Sequence, residues 1–198
     1  KDEVEMERAL RVREPAPKAR IIVDANEAWT LDMVARFAAE LDTLEIEMLE
    51  QPLPAAEDSP LATLGALPVP LGADESCHDL PTLERLQGLY QIINIKLDKT
   101  GGLTEALEMK RQAELMGFQV MVGCMVGSSL AMAPAALVAQ GAHFTDLDGP
   151  IMLDRDRKPG LNYDRWLIDP VEPGLWGGGV LDLHAEIEEL VQPHSRPH

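Results

Sequence analysis

The sequence predicts an α/β fold, a (β/α)8 TIM-like barrel present incompletely, as about strands 3 to 8. Two observations carry that prediction. The first is a nearly constant interval between the polar residues that close short β-rich runs: Asp24 after RIIV, Glu50 after IEML, Asp74 after PLGA, Lys99 after IINIKLD, Cys124 after QVMVG, and Asp146 to Asp148 after HF. Their steps of 26, 24, 25, 25 and 22 to 24 residues each fit one strand, one turn and one helix. The second is chemical. An open doubly wound sheet uses the same unit but concentrates its site at one switch point, whereas here a polar or ionisable group closes nearly every strand. No GxGxxG and no GxxxxGK[ST] occurs, which weakens the nucleotide-binding form of the open sheet.

Taken in order, the first 14 residues read as a helix whose preceding strand lies outside the chain. Thr30 is an N-cap for LDMVARFAAELDTL, which puts Val34, Phe37, Ala38 and Leu41 on one stripe. Residues 82–90 and 102–116 repeat the theme; in the second, Leu103, Ala106, Leu107 and Leu115 fall near one face and Gly117 is the stop. Residues 128–139 are almost wholly apolar, which predicts either a heavily buried helix or one covered by another element. Two further units of about 25 residues would close a barrel. The expected organisation is therefore a partial barrel domain over 1–178, lacking its first two strands, and a C-terminal extension over 179–198 whose acidic stretch and His, Pro and Arg ending suggest no catalytic role.

Composition narrows the function. Seventeen Lys plus Arg against 34 Asp plus Glu give a formal charge of −17, which argues against nucleic acid or an anionic membrane as partner. With 45% hydrophobic and 26% charged residues there is apolar material for a core. Cys77 and Cys124 lie far apart and in no CxxC, so a reducing, cytoplasmic setting is the simpler expectation. No stretch approaches the ~18 apolar residues of a membrane span.

Consecutive strand ends of a parallel barrel lie side by side at its mouth, so Asp24, Glu50 and Asp74 are expected to converge. One such acid is an ordinary helix cap or solvated turn; three at equivalent positions are not. Convergent carboxylates raise one another's pKa unless a cation compensates, and an oxygen-only set favours Mg²⁺, with Mn²⁺ also suited. Asn26 is read as a hydrogen-bonding support for Asp24, or simply a turn former. Lys99, followed at once by Thr100, Gly101 and Gly102, is the expected general base; Lys96, of opposite strand parity, is expected to pair structurally with neighbouring acids. GCMVGSS at 123–129 supplies a small-residue loop at which Met125 is expected to line the substrate site, while Cys124 is read as a packing residue. Asp146 and Asp148, two residues apart, are expected to share a strand face and to suit a cationic group on the substrate, with loop solvation as the plainer account.

With these pieces in hand, the chain resembles the C-terminal two thirds of the barrel domain of the enolase superfamily, close to its L-Ala-D/L-Glu dipeptide epimerases. The matching segments are IIVDANEAW at 21–29, MLEQPLP at 48–54, GADES at 72–76, NIKLDKTGGLTEAL at 94–107, GCMVGSS at 123–129 and DLDGP at 146–150. The resemblance implies that Asp24, Glu50 and Asp74 hold Mg²⁺, that Lys99 is one of two lysines flanking the α-carbon, and that Asp146 and Asp148 receive the free ammonium of a dipeptide. It implies abstraction of the proton α to a carboxylate through an enediolate, and a link to peptidoglycan recycling. It implies also a further N-terminal segment of the same protein, with a KxK strand and a capping domain, neither of which has a match here. A homo-oligomer is compatible with it. Two rivals remain: another activity on the same scaffold (racemase of acylated amino acids, cycloisomerase or acid-sugar dehydratase), and a catalytically silent fragment lacking the second lysine.

Overall fold

In a computed structural model that describes residues 3–165 and 167–177, six parallel strands form one sheet in sequential order, β1 (Ile21–Asp24), β2 (Ile46–Glu50), β3 (Leu71–Ala73), β4 (Ile92–Ile95), β5 (Gln119–Val122) and β6 (Phe144–Thr145). Sequential order without a reversal means that every crossover runs the same way, which curls the sheet; a doubly wound sheet would reverse at a switch point. The result is an open, curled part of a (β/α) barrel of the enolase-superfamily type, as expected.

Register adds the barrel's stagger. Asp24 pairs with Glu50, but Glu50 pairs with Gly72, so Asp74 stands two residues further along the axis. Gly72 pairs with Ile92, so the inner-face row is level from β3 to β4, and Asn94 pairs with Met121, so the row climbs two residues again at β5.

Alternation divides the side chains. On the inner face Met48, Ile92 and Met121 pack together with Ile22 and Phe144. Gly72 belongs to this row, and a Cβ there would fall 2.5 Å from Met48 Sδ, so the methionine fills the room the glycine leaves. The outer face carries Leu49, Leu71, Ala73, Ile93, Ile95, Val120 and Val122 into the larger core under the helices. Strands buried on both faces explain the near-continuous apolar runs.

The helices follow the pattern in part. Helix α1 spans Glu3–Arg13, and α2 spans Leu31–Thr43 with the Thr30 hydroxyl accepting from the Met33 N–H at 3.3 Å. Val34, Phe37, Ala38 and Leu41 are buried as predicted, with the Trp29 and Phe37 rings edge to face at 5.8 Å. Between β2 and β3 the crossover has no α-helix, only 3-10 turns at Ala55–Glu57 and Ser59–Leu64, where Pro52, Pro54 and Pro60 interrupt backbone donors. The helix expected over 82–90 is α3, only Thr82–Leu86, because the chain turns extended at Gln87 and left-handed at Gly88. A short α4 (Leu97–Thr100) precedes α5 (Leu103–Leu115), and Gly117 ends the latter at φ +88°. Helix α6 (Ser129–Val138) buries Met132, Ala133, Ala135 and Val138. A hairpin of β7 (Tyr163–Asp164) and β8 (Leu167–Ile168) follows. The extension expected at 179–198 lies outside the described residues. Among those described, no helix is long and apolar enough to cross a membrane.

Candidate active site at the barrel mouth

Parity sets the site. The residues that follow the inner-face row toward the carboxyl ends are Asp24 after Ile22, Glu50 after Met48, Asp74 after Gly72, Asn94 and Lys96 after Ile92, Gly123 after Met121, and Asp146 after Phe144. All belong to one rim. Lys96 is still in extended conformation (φ −117°, ψ 124°), so its side chain keeps the inward sense of the strand it leaves.

Glu50 and Asp74 are buried, whereas Asp24 is exposed. Asn94 Nδ2 donates to Glu50 Oε1 at 2.6 Å, and Lys96 Nζ to Asp74 Oδ2 at 2.5 Å. Lys99 Nζ pairs with the other oxygen of Asp74 and also donates to two backbone carbonyls, Asp74 O at 2.7 Å and Asn94 O at 3.3 Å. Asn26 hydrogen-bonds to Asp24, its backbone N–H reaching Oδ1 at 2.8 Å and its amide Oδ2 at 3.4 Å. Gly123 is required here: a Cβ would lie 2.7 Å from Asn94 Oδ1 and 3.1 Å from Lys96 Cε.

The electrostatics describe a crowded anionic pocket. Burial pushes the Glu50 carboxyl up to about 7, and Asp24 and Asp74 add to the rise while the Asn94 hydrogen bond and Lys96 oppose it. Burial works against an ammonium at Lys96, but Asp74, Glu50 and Glu75 outweigh it and raise its pKa. Asp146 is open to solvent on one side, yet the protein packed on its other side raises its carboxyl; Asp148 and Asp24 add to this and Lys96 opposes it. Asp24 and Asp146 follow the two edge strands, β1 and β6, and Lys96 follows β4 between them.

Two expectations change. Lys99 does not end a strand: β4 stops at Ile95, and Lys99 lies in α4, because the chain turns helical directly after Lys96. Asp148 does not share a strand face with Asp146, since β6 ends at Thr145 and Asp148 is already in helical conformation before the 3-10 turn Gly149–Met152. Met125 is largely exposed in the loop beyond β5, and Cys124 is partly buried against the core.

Sequence reasoning passed over Asn94 and Glu75. The signal for Asn94 was a lone amide inside the apolar run IINI. For Glu75 there was none beyond adjacency to Asp74; its Oε2 is buried without a hydrogen-bond partner.

The donor set suits a hard divalent cation, being all oxygen, with an unpartnered buried Asn94 Oδ1 beside it and mutually repelling carboxylates. Among the described residues, however, no three acidic, His or Cys side chains close to metal-binding distance. Asp74 spends its oxygens on two ammonium groups instead, so a cation at these carboxylates would compete with Lys96 and Lys99.

Comparison with known proteins agrees with the partial barrel. Residues 2–175 match the Enolase C-terminal domain-like family. The chain is 48% identical over 171 residues to an N-acetyl-D-glutamate racemase of Pseudoalteromonas, covering 86% of this chain and 54% of the relative. It is 45% identical over 157 residues to the L-Ala-D/L-Glu epimerase of Escherichia coli K12, covering 79% and 49%. Among solved structures, an enolase family member from Agrobacterium tumefaciens with homology to dipeptide epimerases, carrying sodium and L-Ala-L-Glu, superposes with a TM-score of 0.83 at 55% identity over 86% of this chain and 52% of that one. A Cytophaga hutchinsonii dipeptide epimerase complexed with Mg and D-Ala-L-Val gives 0.79 at 31% identity, covering 85% and 48%. The chain spans about half the length of the relatives it matches.

Proposed function

We propose, on the premise that this chain belongs to the enolase superfamily and to its dipeptide-epimerase branch, that it carries the metal-binding and proton-transfer half of a Mg²⁺-dependent epimerase acting on dipeptides such as L-Ala-D/L-Glu. The observation that supports this most is the single inward row that holds Asp24, Glu50, Asp74 and Lys96 on four consecutive strands. Asp24, Glu50 and Asp74 would hold the ion, with Asn26 and Asn94 orienting the first two. When bound, the ion would neutralise these carboxylates and stabilise the negative charge that develops on the substrate carboxylate as the α-proton leaves.

The base role goes to Lys96 rather than Lys99. Both lysines pair with the Asp74 carboxylate, but Lys96 stands on the inward row, whereas Lys99 also donates to the backbone carbonyls of Asp74 and Asn94 and so ties α4 to β3. As long as Asp74 and Glu50 are uncompensated they hold Lys96 protonated, so relieving their charge is what frees its amine to accept the α-proton. Asp146, with Asp148 beside it, is the anionic group suited to a free dipeptide ammonium.

A second reading has a specific observation in its favour, the racemase of N-acetylglutamate among the relatives. An acylated amine carries no positive charge and gains nothing from Asp146. The test is exchange of the α-proton for solvent deuterium with Mg²⁺ present, for L-Ala-L-Glu against N-acetylglutamate. Exchange requires one base, whereas inversion requires two. The dipeptide is expected to exchange faster, Lys96→Met to slow exchange by about 10²–10⁴-fold, and Lys99→Met by less. Faster exchange of the acyl substrate would favour the second reading, and no exchange of either would favour the silent one.

A further inference from the structure

Gln51 follows Glu50 and is completely buried, with a left-handed backbone at φ +33°, a conformation that a non-glycine residue keeps only where its surroundings hold it. Its main chain joins the three carboxylate-bearing strand ends: the N–H donates to Gly72 O at 2.8 Å, and the carbonyl accepts from Glu27 N at 2.8 Å in the turn beyond Asp24. Its side chain does the same between β2 and β3. Oε1 accepts from the backbone N–H of Asp74 at 2.9 Å and of Ser76 at 3.1 Å. Nε2 faces three acceptors, Leu53 O at 2.8 Å, Ser76 Oγ at 2.9 Å and Tyr90 OH at 3.1 Å.

The polarity of that amide is set from behind. The buried Asp58 carboxylate accepts from Ser76 Oγ at 2.5 Å, from Tyr90 OH at 3.2 Å and from Arg85 at 2.9 Å. Burial raises the Tyr90 phenol, which therefore stays a donor. With both hydroxyl protons committed to Asp58, their lone pairs face Gln51, so the amide must present its NH₂ to them and its oxygen to Asp74.

We propose that Gln51 is the positioning residue of the carboxylate set: aligned by Ser76, Tyr90 and Asp58, its side-chain oxygen fixes Asp74 relative to Glu50 and thereby sets affinity for a divalent cation. This rests on the cation reading above. Asp58 then influences that affinity through two hydroxyls and an amide, without touching the ion.

The test is Mn²⁺ binding by isothermal titration calorimetry on the 198-residue chain and its Gln51→Met, Asp58→Asn and Tyr90→Phe variants, with urea stability measured in parallel. Amide hydrogen exchange at Asp74 and Ser76 in EDTA supplies a readout without metal. Asp58→Asn is informative because its amide can donate back to the hydroxyls and reverse the chain. It and Gln51→Met should weaken Mn²⁺ binding by the folded fraction about tenfold or more and lower protection at Asp74 and Ser76, with Tyr90→Phe milder because Ser76 remains. A merely structural role would lower stability and leave the dissociation constant unchanged, which would overturn the proposal. If Gln51→Met does not fold, Asp58→Asn and Tyr90→Phe decide alone. If the unaltered chain binds no Mn²⁺, the cation reading itself falls, and the inference with it.

Discussion

The sharpest consequence of the crowded mouth is that Glu50 opposes folding at neutral pH when no cation is present. Its carboxyl moves from 4.5 to about 7 on folding, chiefly through burial. A raised acid stabilises the fold while protonated: the contribution is fully present below about pH 4.5 and is lost as pH rises through about 7. The shift corresponds to about 3 kcal/mol, a substantial part of the ~5–15 kcal/mol stability of an ordinary domain. Glu50→Gln removes the charge and keeps an oxygen for Asn94 Nδ2, so it should stabilise the metal-free chain by up to about 3 kcal/mol at pH 8 and have little effect near pH 4.5. Urea unfolding followed by far-UV circular dichroism, in EDTA at pH 4.5 and pH 8, measures both differences. A small residual slope is expected from Asp146 and Glu75, whose carboxyls are also raised. Adding Mg²⁺ should stabilise the parent at pH 8 and not the variant, because only the ionised set gains from the ion. A parent whose stability is flat between pH 4.5 and pH 8, or a variant that keeps the parent's slope, would refute the reasoning.

Three further outcomes follow from the geometry. Gly123→Ala drives a methyl against the Asn94 amide and Lys96 Cε, so it should lower Mn²⁺ affinity and α-proton exchange, and cost about 1–3 kcal/mol of stability by urea titration. Leu41→Ala opens a cavity under α2, where Leu41 is fully buried, and should cost about 2–5 kcal/mol in the same assay without changing the Mn²⁺ dissociation constant of the folded chain. Thr30→Ala removes the cap of α2 and should cost about 1 kcal/mol, while Thr30→Ser restores most of it.

How far the sequence reached can be followed residue by residue. The regular spacing of strand-closing residues was enough for the number of strands and their parallel sense, because one strand, turn and helix need that length whatever their composition. The Thr30 cap and the Gly117 stop were legible for a local reason: each works through hydrogen bonding or backbone freedom within a few residues of itself. The placement of Asp24, Glu50 and Asp74 at the ends of consecutive strands was legible because alternation along a strand is also local. The limit came at IINIKLDK. Strand periodicity carried on to Lys99, but the chain turns helical after Lys96, and two lysines three residues apart exchange meanings according to where that turn falls. Asp148 was misread for the same reason, since β6 stops sooner than its sequence suggests.

What the linear chain determined by itself is the unit, its repetition and the chemical character of the rim, all properties of near neighbours. Tertiary structure decided which lysine faces the mouth, that Asp74 is engaged by both of them, and that Gln51, an unremarkable amide in sequence, spans β2 and β3 with Asp58 and Tyr90 behind it. Those facts depend on contacts between residues 22 to 39 positions apart in the chain. The curl of the sheet and the stagger of its strands bring such residues together, and no local pattern encodes either.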